Sequence, residues 1–258
     1  MWPSSPYGPM RQGEDADSLD GLFWEIVKCR HVEECLQVSM GNHPCQTLVH
    51  AQENLPLNDR QVPEPWSGDI AHVPILFIGS NPGYNPKEPF PTLSWTEGQT
   101  RSFFRDRLRN EQPWRQYKNE VRERATELLG RDVVPHRDYA LSEAVHCKSS
   151  KQREGVWEAS ETCANLYLSR VVEQAGARLI VCLGKVARQE VLRVFPGIPP
   201  AHLEGGTTHG PLEIGGGMRW FTFLRFSRFR GEPKAAYAPS PDELQLIRKV
   251  VGEPLGDP

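Results

Sequence analysis

The sequence predicts a three-layer α/β/α fold with a mostly parallel central sheet of about four strands. Short apolar runs, of the kind found in strands buried on both faces, alternate with amphipathic helical segments along the chain. The clearest runs, at 73–79 and 178–185, each stop at a glycine, where a strand can turn into the next element. Because helices separate the strands, the connections can cross over and keep neighbouring strands parallel.

The chain before the first strand is predicted to contain a disordered segment, one helix and a long loop. Residues 1–20 are rich in proline, serine, glycine and aspartate, so we expect a disordered segment there. Residues 21–252 are predicted to form one α/β domain, because no long linker divides them. The apolar stripe at 19–38 predicts a helix, and the many proline, asparagine and glycine residues at 39–70 predict a long loop with short helical pieces.

The remaining elements follow from the same patterns. The run at 73–79 predicts a buried strand, and the prolines at 82–92 exclude a helix directly after it. Gly130 and Gly176 close two of the later helices. The predicted strands are at 73–79, 138–147, 178–185 and 219–229; the predicted helices after the first are at 100–112, 114–130, 155–175, 186–195 and 241–251, and 196–217 is a predicted loop.

The composition limits the classes of protein to consider. The net charge is −3 and the pI is about 6.3, so contacts with nucleic acid must come from local basic clusters, such as those at 101–110 and 219–234. No apolar run approaches the roughly 20 residues of a membrane span. No charged start followed by an apolar core indicates a signal peptide. We therefore expect a cytoplasmic protein without a membrane partner, and a monomer.

Four short motifs near predicted strand ends resemble those of a known family. GSNPG follows the first strand, and SEAVHC, LGKVA and APSP come later in the chain. In this order and spacing they resemble the uracil-DNA glycosylase superfamily over most of the chain. GSNPG is similar to the first catalytic motif of the mismatch-specific and single-strand-selective branches, and 163–187 is similar to the helix–strand unit of the iron–sulfur branch. The resemblance implies hydrolysis of an N-glycosidic bond in a nucleotide flipped out of DNA.

The resemblance also implies roles for individual residues. Asn81 would hold the attacking water through its side-chain oxygen, which suffices if the glycosidic bond is largely broken before the water attacks. Phe90 would stack on the flipped base, although a core or lid aromatic fits the sequence equally well. Further base-binding residues would be Gly79, Ser80, Gly83 and Tyr84, and further DNA-binding residues would be Ser240, Arg228, Arg230 and Lys234.

Two departures from the family bear on catalysis and on the size of the base. Ala238 stands where the family has a histidine that stabilises the leaving base. Either His209, Arg230 or Lys234 replaces it, or the base needs less help, or the protein is a weak catalyst. Gly83 stands where the strict uracil enzymes have a tyrosine that excludes thymine, which leaves room beside C5 of the base.

A third departure bears on which base is read, because Glu143 stands where the family has the asparagine that binds uracil. An ionised carboxylate only accepts hydrogen bonds, so it would repel uracil O4 and attract the N4 amino group of cytosine. A protonated carboxyl could also donate to cytosine N3. With the space at Gly83, this predicts a cytosine with a bulky 5-substituent, hydroxymethylated or glucosylated, and a role in defence against phage. Alternatively, Glu143 forms a salt bridge away from the pocket.

The cysteines imply a possible cofactor. Cys147 and Cys163 have the spacing of the last two ligands in the iron–sulfur branch, which implies a structural [4Fe–4S] cluster. Cys29 and Cys35 would supply the first two ligands, with Cys45 as a spare. Four thiolates would also suit zinc. Unpaired, partly buried thiols in a reducing cytosol are the remaining alternative, without any cofactor.

Several functions therefore stand beside one another. A DNA glycosylase for modified cytosine leads, and a uracil-DNA glycosylase of base-excision repair is the alternative. A DNA-binding protein that kept the fold and lost catalysis is a different class. A nucleotide-binding α/β enzyme of another kind is less favoured, because the sequence lacks the glycine-rich signatures of P-loop and dinucleotide-binding proteins.

Overall fold

The structure, a computed structural model, has a mostly parallel sheet with helices on both faces, which confirms the predicted fold class. The segment expected to be disordered, 1–20, lies almost wholly outside the described residues. The structure describes residues 18–37, 42–85, 87–109, 115–149, 155–199, 207–224 and 239–252.

In the described part of the chain, the sheet has six strands in the order β1-β3-β2-β4-β6-β5. The four inner strands are parallel and correspond to the four predicted ones; they are β2 (Ile75–Gly79), β3 (Tyr139–Glu143), β4 (Leu179–Leu183) and β6 (Gly217–Leu224). The two edge strands are antiparallel to their neighbours; they are β1 (Trp66–Ser67) and β5 (Thr208–Ile214).

Both edge strands lie in segments predicted as loops, so those two predictions were wrong. Strand β1 has two residues, which is too short to show a period of two. Strand β5 lies in a Gly/Pro-rich segment, and the register shifts between His209 and Leu212, which interrupts its alternation. The edge strands therefore depend on pairing with β3 and β6 rather than on a local pattern.

The helices match the predictions in position, with one break and one irregular turn. The helix predicted at 19–38 is two helices, because the chain turns at Lys28 and Cys29. The helix predicted at 155–175 contains a π-helical turn, Ala164–Leu168. The helices are α1 (Leu19–Val27), α2 (Arg30–Gln37), α3 (Gln46–His50), α4 (Glu97–Asp106), α5 (Arg115–Leu129), α6 (Val156–Cys163), α7 (Ser169–Gln174), α8 (Gly184–Val194) and α9 (Pro241–Gly252), with a 3-10 turn at Leu57–Asp59.

Alternate residues of the strands face two separate apolar cores. Leu76 and Ile78 of β2 belong to the core that includes α1, α6, α7 and α8. Ile75 and Phe77 belong to the core on the other face, with α5 and α9. Because both faces are covered, the inner strands are apolar throughout, as the sequence predicted.

The order of the strands places a crevice at the carboxyl end of β2. Strand β3 lies on one side of β2 and β4 lies on the other, so the connections from this point run in opposite directions. Open α/β sheets bind ligands at such a switch point. The GSNPG motif begins there. No helix among the described residues is long and apolar enough to cross a membrane.

Candidate active site at the end of strand β2

The GSNPG motif is fixed in place by the segment that follows β3. Backbone hydrogen bonds of 2.9 and 3.0 Å join 79–80 to 144–145. Two more, of 3.2 and 2.8 Å, join Pro82 and Tyr84 to Ser149. The motif and the residues after β3 therefore form one continuous edge, although more than sixty residues separate them in the sequence.

The Asn81 side chain is anchored in one orientation. Its Nδ2 donates to Ser149 Oγ at 2.8 Å and to the backbone oxygen of Pro82 at 3.0 Å. The carbonyl of Pro82 can only accept, so the amide nitrogen must lie on this side. The Oδ1 atom accepts no hydrogen bond from any residue that the structure describes, and the residue is only partly buried. Asn81 thus presents a fixed acceptor oxygen at the sheet edge.

Glu143 lies directly opposite Gly79 in the paired strands β2 and β3. A Cβ atom built on Gly79 would lie 2.1 Å from Glu143 Oε2 and 2.6 Å from the Tyr117 hydroxyl oxygen. The absence of a side chain at Gly79 therefore makes room for the carboxyl. Glu143 is 4% exposed, and its Oε2 has no hydrogen-bond partner among the described residues. Within the same residues it forms no salt bridge, so that alternative finds no support.

The environment of Glu143 favours its neutral form. Burial raises the pKa of this carboxyl well above its ordinary value, and the charge of Glu64 raises it further; Arg107 and Lys148 oppose the shift. A neutral carboxyl has one donor and one acceptor. It can pair with N3 and N4 of cytosine, and equally with O4 and N3–H of uracil. The exclusion of uracil expected of an ionised carboxylate therefore does not follow for the neutral acid.

A network of buried charged side chains lies next to Glu143. Arg107 binds both carboxylate oxygens of Glu64, at 3.0 and 3.2 Å, and one oxygen of Glu88 at 2.9 Å. The Lys148 ammonium, whose side chain is fully buried, lies 3.8 Å from Glu88. We call these four residues the buried charge network. The charge of the nearby Lys118 acts on the same two carboxylates, so burial, rather than an excess of negative charge, is what chiefly disfavours an ionised Glu143.

The ring of Phe90 is covered by the Lys148 and Arg107 side chains rather than open to a base. It is 3% exposed, and its ring packs edge-on against Phe103 and Phe104 at centroid distances of 5.2 and 5.5 Å. Lys148 Nζ lies 3.2 Å from the ring centroid, and the guanidinium carbon of Arg107 lies 4.8 Å from it. A base stacked on Phe90 would have to displace one of these cations, so the expected stacking surface is occupied in this structure.

The other predicted base-binding residues lie along the same edge. Ser80 Oγ lies close to Gly184 at the start of α8, 3.2 Å from where a Cβ would stand. Gly83 forms an isolated bridge with Ser149 and is partly buried. Tyr84 is also partly buried and is held through its backbone. The structure thus brings the motif together with Glu143.

The predicted DNA-binding residues are only partly within the described chain. Ser240 is exposed, and its Oγ accepts a hydrogen bond from the Glu243 amide at 3.2 Å, so it caps α9. A helix N-terminus can also bind phosphate, although Asp242 and Glu243 add negative charge in its first turn. Residues outside the described chain are Arg228, Arg230, Lys234 and Ala238.

His209 is poorly placed to replace the histidine that the family has at Ala238. It lies on the edge strand β5, and β4 and β6 separate that strand from β2. Three strand spacings amount to about 14 Å. A side chain at that distance from the end of β2 does not reach a base held beside Glu143. The buried cation Lys148 is much closer to the predicted pocket.

Four of the six cysteines line one small, largely enclosed cavity. They are Cys29, Cys45, Cys147 and Cys163. Cys35, predicted as a ligand, is not among the lining residues; its sulfur lies 3.1 Å from His43 Nδ1. The spare Cys45 lines the cavity, and Cys35 lies near enough for its charge to raise the pKa of Cys45 and of Cys147.

The thiols that line this cavity are held in their neutral form. Burial raises the pKa of each lining thiol, and neighbouring sulfurs raise it further at Cys45, Cys147 and Cys163, so several thiolates here would need a compensating positive charge. The His146 amide points to Cys163 Sγ at 3.4 Å, and the Tyr167 hydroxyl to Cys29 Sγ at 3.2 Å. Such donors stabilise ligating sulfur. A tetrahedral zinc ion would hold neighbouring sulfur atoms about 3.8 Å apart. Among the described residues, by contrast, no three thiol sulfurs lie within 4.8 Å of one another.

Sequence reasoning missed three residues of the site. Lys148 and Ser149 directly follow the SEAVHC motif, so their position after a strand end was a usable signal. Tyr117 lies on α5, which reads as an ordinary polar helix, and nothing in its local sequence indicates that its hydroxyl reaches Gly79. Comparison with protein-family models gives no match to this chain, and comparison with curated proteins gives none either.

Proposed function

We propose that the protein is a DNA glycosylase, which hydrolyses the N-glycosidic bond of a flipped-out pyrimidine nucleotide and leaves an abasic site. The orientation of Asn81 carries this proposal. Its amide nitrogen is anchored by Ser149 and Pro82, so its oxygen is left as an acceptor at the sheet edge. Glu143 stands one strand away. An anchored acceptor can hold a water, and a buried carboxyl can hold a base.

Asn81 would orient the attacking water. Its Oδ1 accepts a hydrogen bond from the water, so that a lone pair of the water faces the anomeric carbon. An amide cannot remove a proton, so the water attacks late, after the glycosidic electron pair has moved to the base. The water oxygen then bonds to the anomeric carbon, and the proton that it loses ends on the base, which left as an anion. In this scheme the catalytic effect of Asn81 is positioning rather than basicity.

Lys148 would stabilise the base as it leaves with a negative charge. Its ammonium is buried, its charge acts on Glu143, which would hold the base, and the next residue, Ser149, anchors Asn81. Burial lowers the pKa of Lys148 to about 8, against the opposing charge of Glu64, so the ammonium persists at neutral pH. A buried cation aimed at developing negative charge is an effective electrostatic catalyst. Lys148 would thus replace the histidine missing at Ala238.

Modified cytosine is the favoured base. A neutral Glu143 can donate to N3 and accept from N4. Gly83 has no side chain to crowd C5, which leaves room for a substituent such as a hydroxymethyl or glucosyl group. Removal of unmodified cytosine would damage the DNA of the host, so a useful enzyme of this kind would act on foreign, modified DNA. This supports the proposed role in antiviral defence.

Uracil is the alternative base, and one observation favours it. The raised pKa of Glu143 leaves a neutral carboxyl, which can donate to uracil O4 and accept from N3–H. A neutral acid therefore resembles the amide of the asparagine found at this position in the family. In that case the protein would act in base-excision repair, and the open space at Gly83 would be incidental.

DNA would be held through local contacts, because the net charge of the chain is negative. Ser240 would contact a phosphate at the start of α9, and Arg228, Arg230 and Lys234 would supply positive charge. The cluster at 101–110 contributes less, since Arg101 and Arg105 are paired with Asp20 and Asp106. The protein would act as a monomer on a single flipped nucleotide.

A structural [4Fe–4S] cluster belongs to the same proposal. Cys29, Cys45, Cys147 and Cys163 would hold it, and it would tie the N-terminal helices to the end of β3. When bound, it would supply a rigid link and no electron transfer, because hydrolysis requires none. All six cysteines are free thiols, which is typical of a reducing compartment and supports a cytoplasmic location.

A base-release assay tests the proposal. Single-stranded and duplex DNA carrying uracil, cytosine, 5-hydroxymethylcytosine or its glucosylated form would be incubated with the protein and then cleaved by alkali at abasic sites. We expect cleavage at a modified cytosine, lost in Asn81→Ala with little change in DNA affinity and retained in Asn85→Ala, an exposed asparagine nearby. Cleavage at uracil alone would assign the alternative. DNA binding without cleavage of any substrate would overturn the enzyme and leave a binding protein.

A further inference from the structure

Three metal-ligating side chains meet between α2 and α3, outside the proposed active site. His31 Nδ1 lies 2.5 Å from Glu34 Oε2 and 3.1 Å from His43 Nε2, and the Glu34 and His43 atoms are 3.8 Å apart. All three ligand atoms thus lie within 4.8 Å of one another. None of these residues takes part in the proposed hydrolysis or is one of the four proposed cluster ligands, although His31 also lines the cysteine cavity.

We propose that His31, Glu34 and His43 form a binding site for a divalent transition-metal ion, with zinc as the first ion to test. Zinc bonds of about 2.0–2.1 Å in tetrahedral geometry separate neighbouring ligand atoms by about 3.3 Å. The three observed separations bracket that value, so one ion can reach all three atoms with small side-chain movements. Two imidazoles and one carboxylate are a ligand set that zinc and its first-row neighbours accept.

The local fold explains why these residues converge. His31 and Glu34 are three residues apart on α2, so they share one face of the helix. His43 reaches the same point from the segment just before α3. The Glu34 side chain is 49% exposed, whereas those of His31 and His43 are 14% and 25% exposed. The site is therefore open to solvent on the Glu34 side, where water can complete the coordination.

The hydrogen-bond pattern indicates what metal binding must change. In the structure, the Cys45 amide donates to His43 Nδ1 at 3.1 Å, so the ring hydrogen lies on Nε2, between His31 and Glu34. A metal ion on Nε2 replaces that hydrogen, and the ring then carries its proton on Nδ1. Cys35 Sγ, 3.1 Å from Nδ1, can accept it, and the Cys45 amide turns away. Cys35 would thus support the ligand from outside the coordination shell.

The site would couple the N-terminal helices to the cysteine cavity. His43 stands two residues before Cys45, and His31 stands two residues after Cys29; both cysteines line the cavity. A metal ion held by His31 and His43 would therefore fix the positions of both. This inference does not depend on the proposed catalysis, because it rests only on the convergence of three side chains.

Metal titration of the purified full-length protein tests the site. After removal of loosely bound metal with a chelator, Zn²⁺ and Co²⁺ would be added and the bound ions counted by elemental analysis. We expect about one ion per chain that is lost in the double variant His31→Ala, His43→Ala. His72→Ala is the matched control, because His72 also pairs with a carboxylate three residues away, at 3.0 Å from Asp69, but has no third ligand. It should keep the ion.

The visible spectrum of the cobalt-loaded protein distinguishes metal bound at this site from metal bound by the cysteines. Nitrogen and oxygen ligands should give weak visible bands without the intense charge-transfer absorption of a thiolate–cobalt bond. Equal metal content in the wild type and in the double variant would overturn the proposal. So would a strong thiolate band that disappears in Cys147→Ser, since the ion would then belong to the cysteine cavity.

Discussion

Glu143 carries its carboxyl into the space beside Gly79, the residue directly opposite it on β2. A side chain at Gly79 would begin 2.1 Å from Glu143 Oε2, far inside van der Waals contact. The first motif and the base-reading position are therefore coupled by steric contact as well as by strand register. Glycine is needed at position 79 for space rather than for an unusual backbone angle, because its φ is not positive.

Gly79→Ala should destabilise the fold and disturb Glu143 together. The added methyl group overpacks a buried site, which costs about 1–3 kcal/mol in the free energy of unfolding, measured with urea. Base release should fall as the carboxyl moves. Gly98→Ala on α4 is the control, because nothing lies within 4 Å of its Cβ, and it should be neutral or slightly stabilising. A stable, fully active Gly79→Ala protein would contradict the packing described here.

Glu143→Gln should stabilise the protein at neutral and high pH. Because the pKa of Glu143 is raised, the folded state binds the proton more tightly than the unfolded state. The stability of the wild type is then greatest below the unfolded pKa, near 4.5, and decreases as the pH rises towards the folded pKa. The variant cannot ionise and lacks this decrease. Urea unfolding at a series of pH values measures the difference.

The control for this experiment is Glu53→Gln, which removes an exposed carboxylate paired with His50. Its effect should be small at every pH. A difference between Glu143→Gln and the wild type that stays constant with pH would mean that Glu143 ionises normally. We would then again expect an ionised Glu143 carboxylate to exclude uracil.

The sequence predicted the inner sheet well and the contacts around the motif poorly, for a physical reason. Continuous apolar runs report burial on both faces, so the four inner strands were visible. The pairing of Asn81 with Ser149 joins residues 68 positions apart, and no local pattern records it. That Cys45 rather than Cys35 lines the cysteine cavity depends on how the N-terminal helices pack, which the linear spacing does not record.

Ser149→Ala should reduce base release while leaving the fold intact. The hydroxyl is one of two acceptors that anchor Asn81 Nδ2, and without it the amide can turn. Misplacement of a catalytic group by about 1 Å can lower the rate by up to about 100-fold, so we expect a loss between about 10- and 100-fold. Ser94→Ala, which removes an exposed hydroxyl bonded to Thr92, should have full activity. Unchanged activity in Ser149→Ala would remove the basis for a water held by Asn81.

Lys148→Met should slow base release by about 100- to 1,000-fold if the ammonium stabilises the leaving base. The pKa of Lys148 is lowered to about 8, so the protonated form, and with it this contribution, should be lost as the pH rises above about 8. The decrease in rate caused by Lys148→Met should be smaller for a base with an electron-withdrawing 5-substituent, because a better leaving group needs less stabilisation. A loss equal for all bases would indicate a structural role instead.

Lys118→Met is the matched control for Lys148. Lys118 is also buried enough for its pKa to be lowered to about 8, but its ammonium donates to the Arg107 backbone rather than lying on Phe90. It should affect base release far less and without dependence on the leaving group. The free energy of unfolding of both variants should be measured, because Lys148 is close to the buried carboxylate of Glu88 and its removal can destabilise the fold.

Cys45→Ser should remove the proposed cluster, whereas Cys35→Ser should not. The four cysteines around the cavity include Cys45 and exclude Cys35, although the linear spacing favours Cys35. The protein would be purified without oxygen, and its iron, acid-labile sulfide and visible absorption would be compared among the variants. Cys182→Ser, in the interior of β4, is the control for loss of a buried thiol. Loss of iron in Cys35→Ser with retention in Cys45→Ser would reverse the assignment, because Cys35 would then have to turn away from His43 and into the cavity.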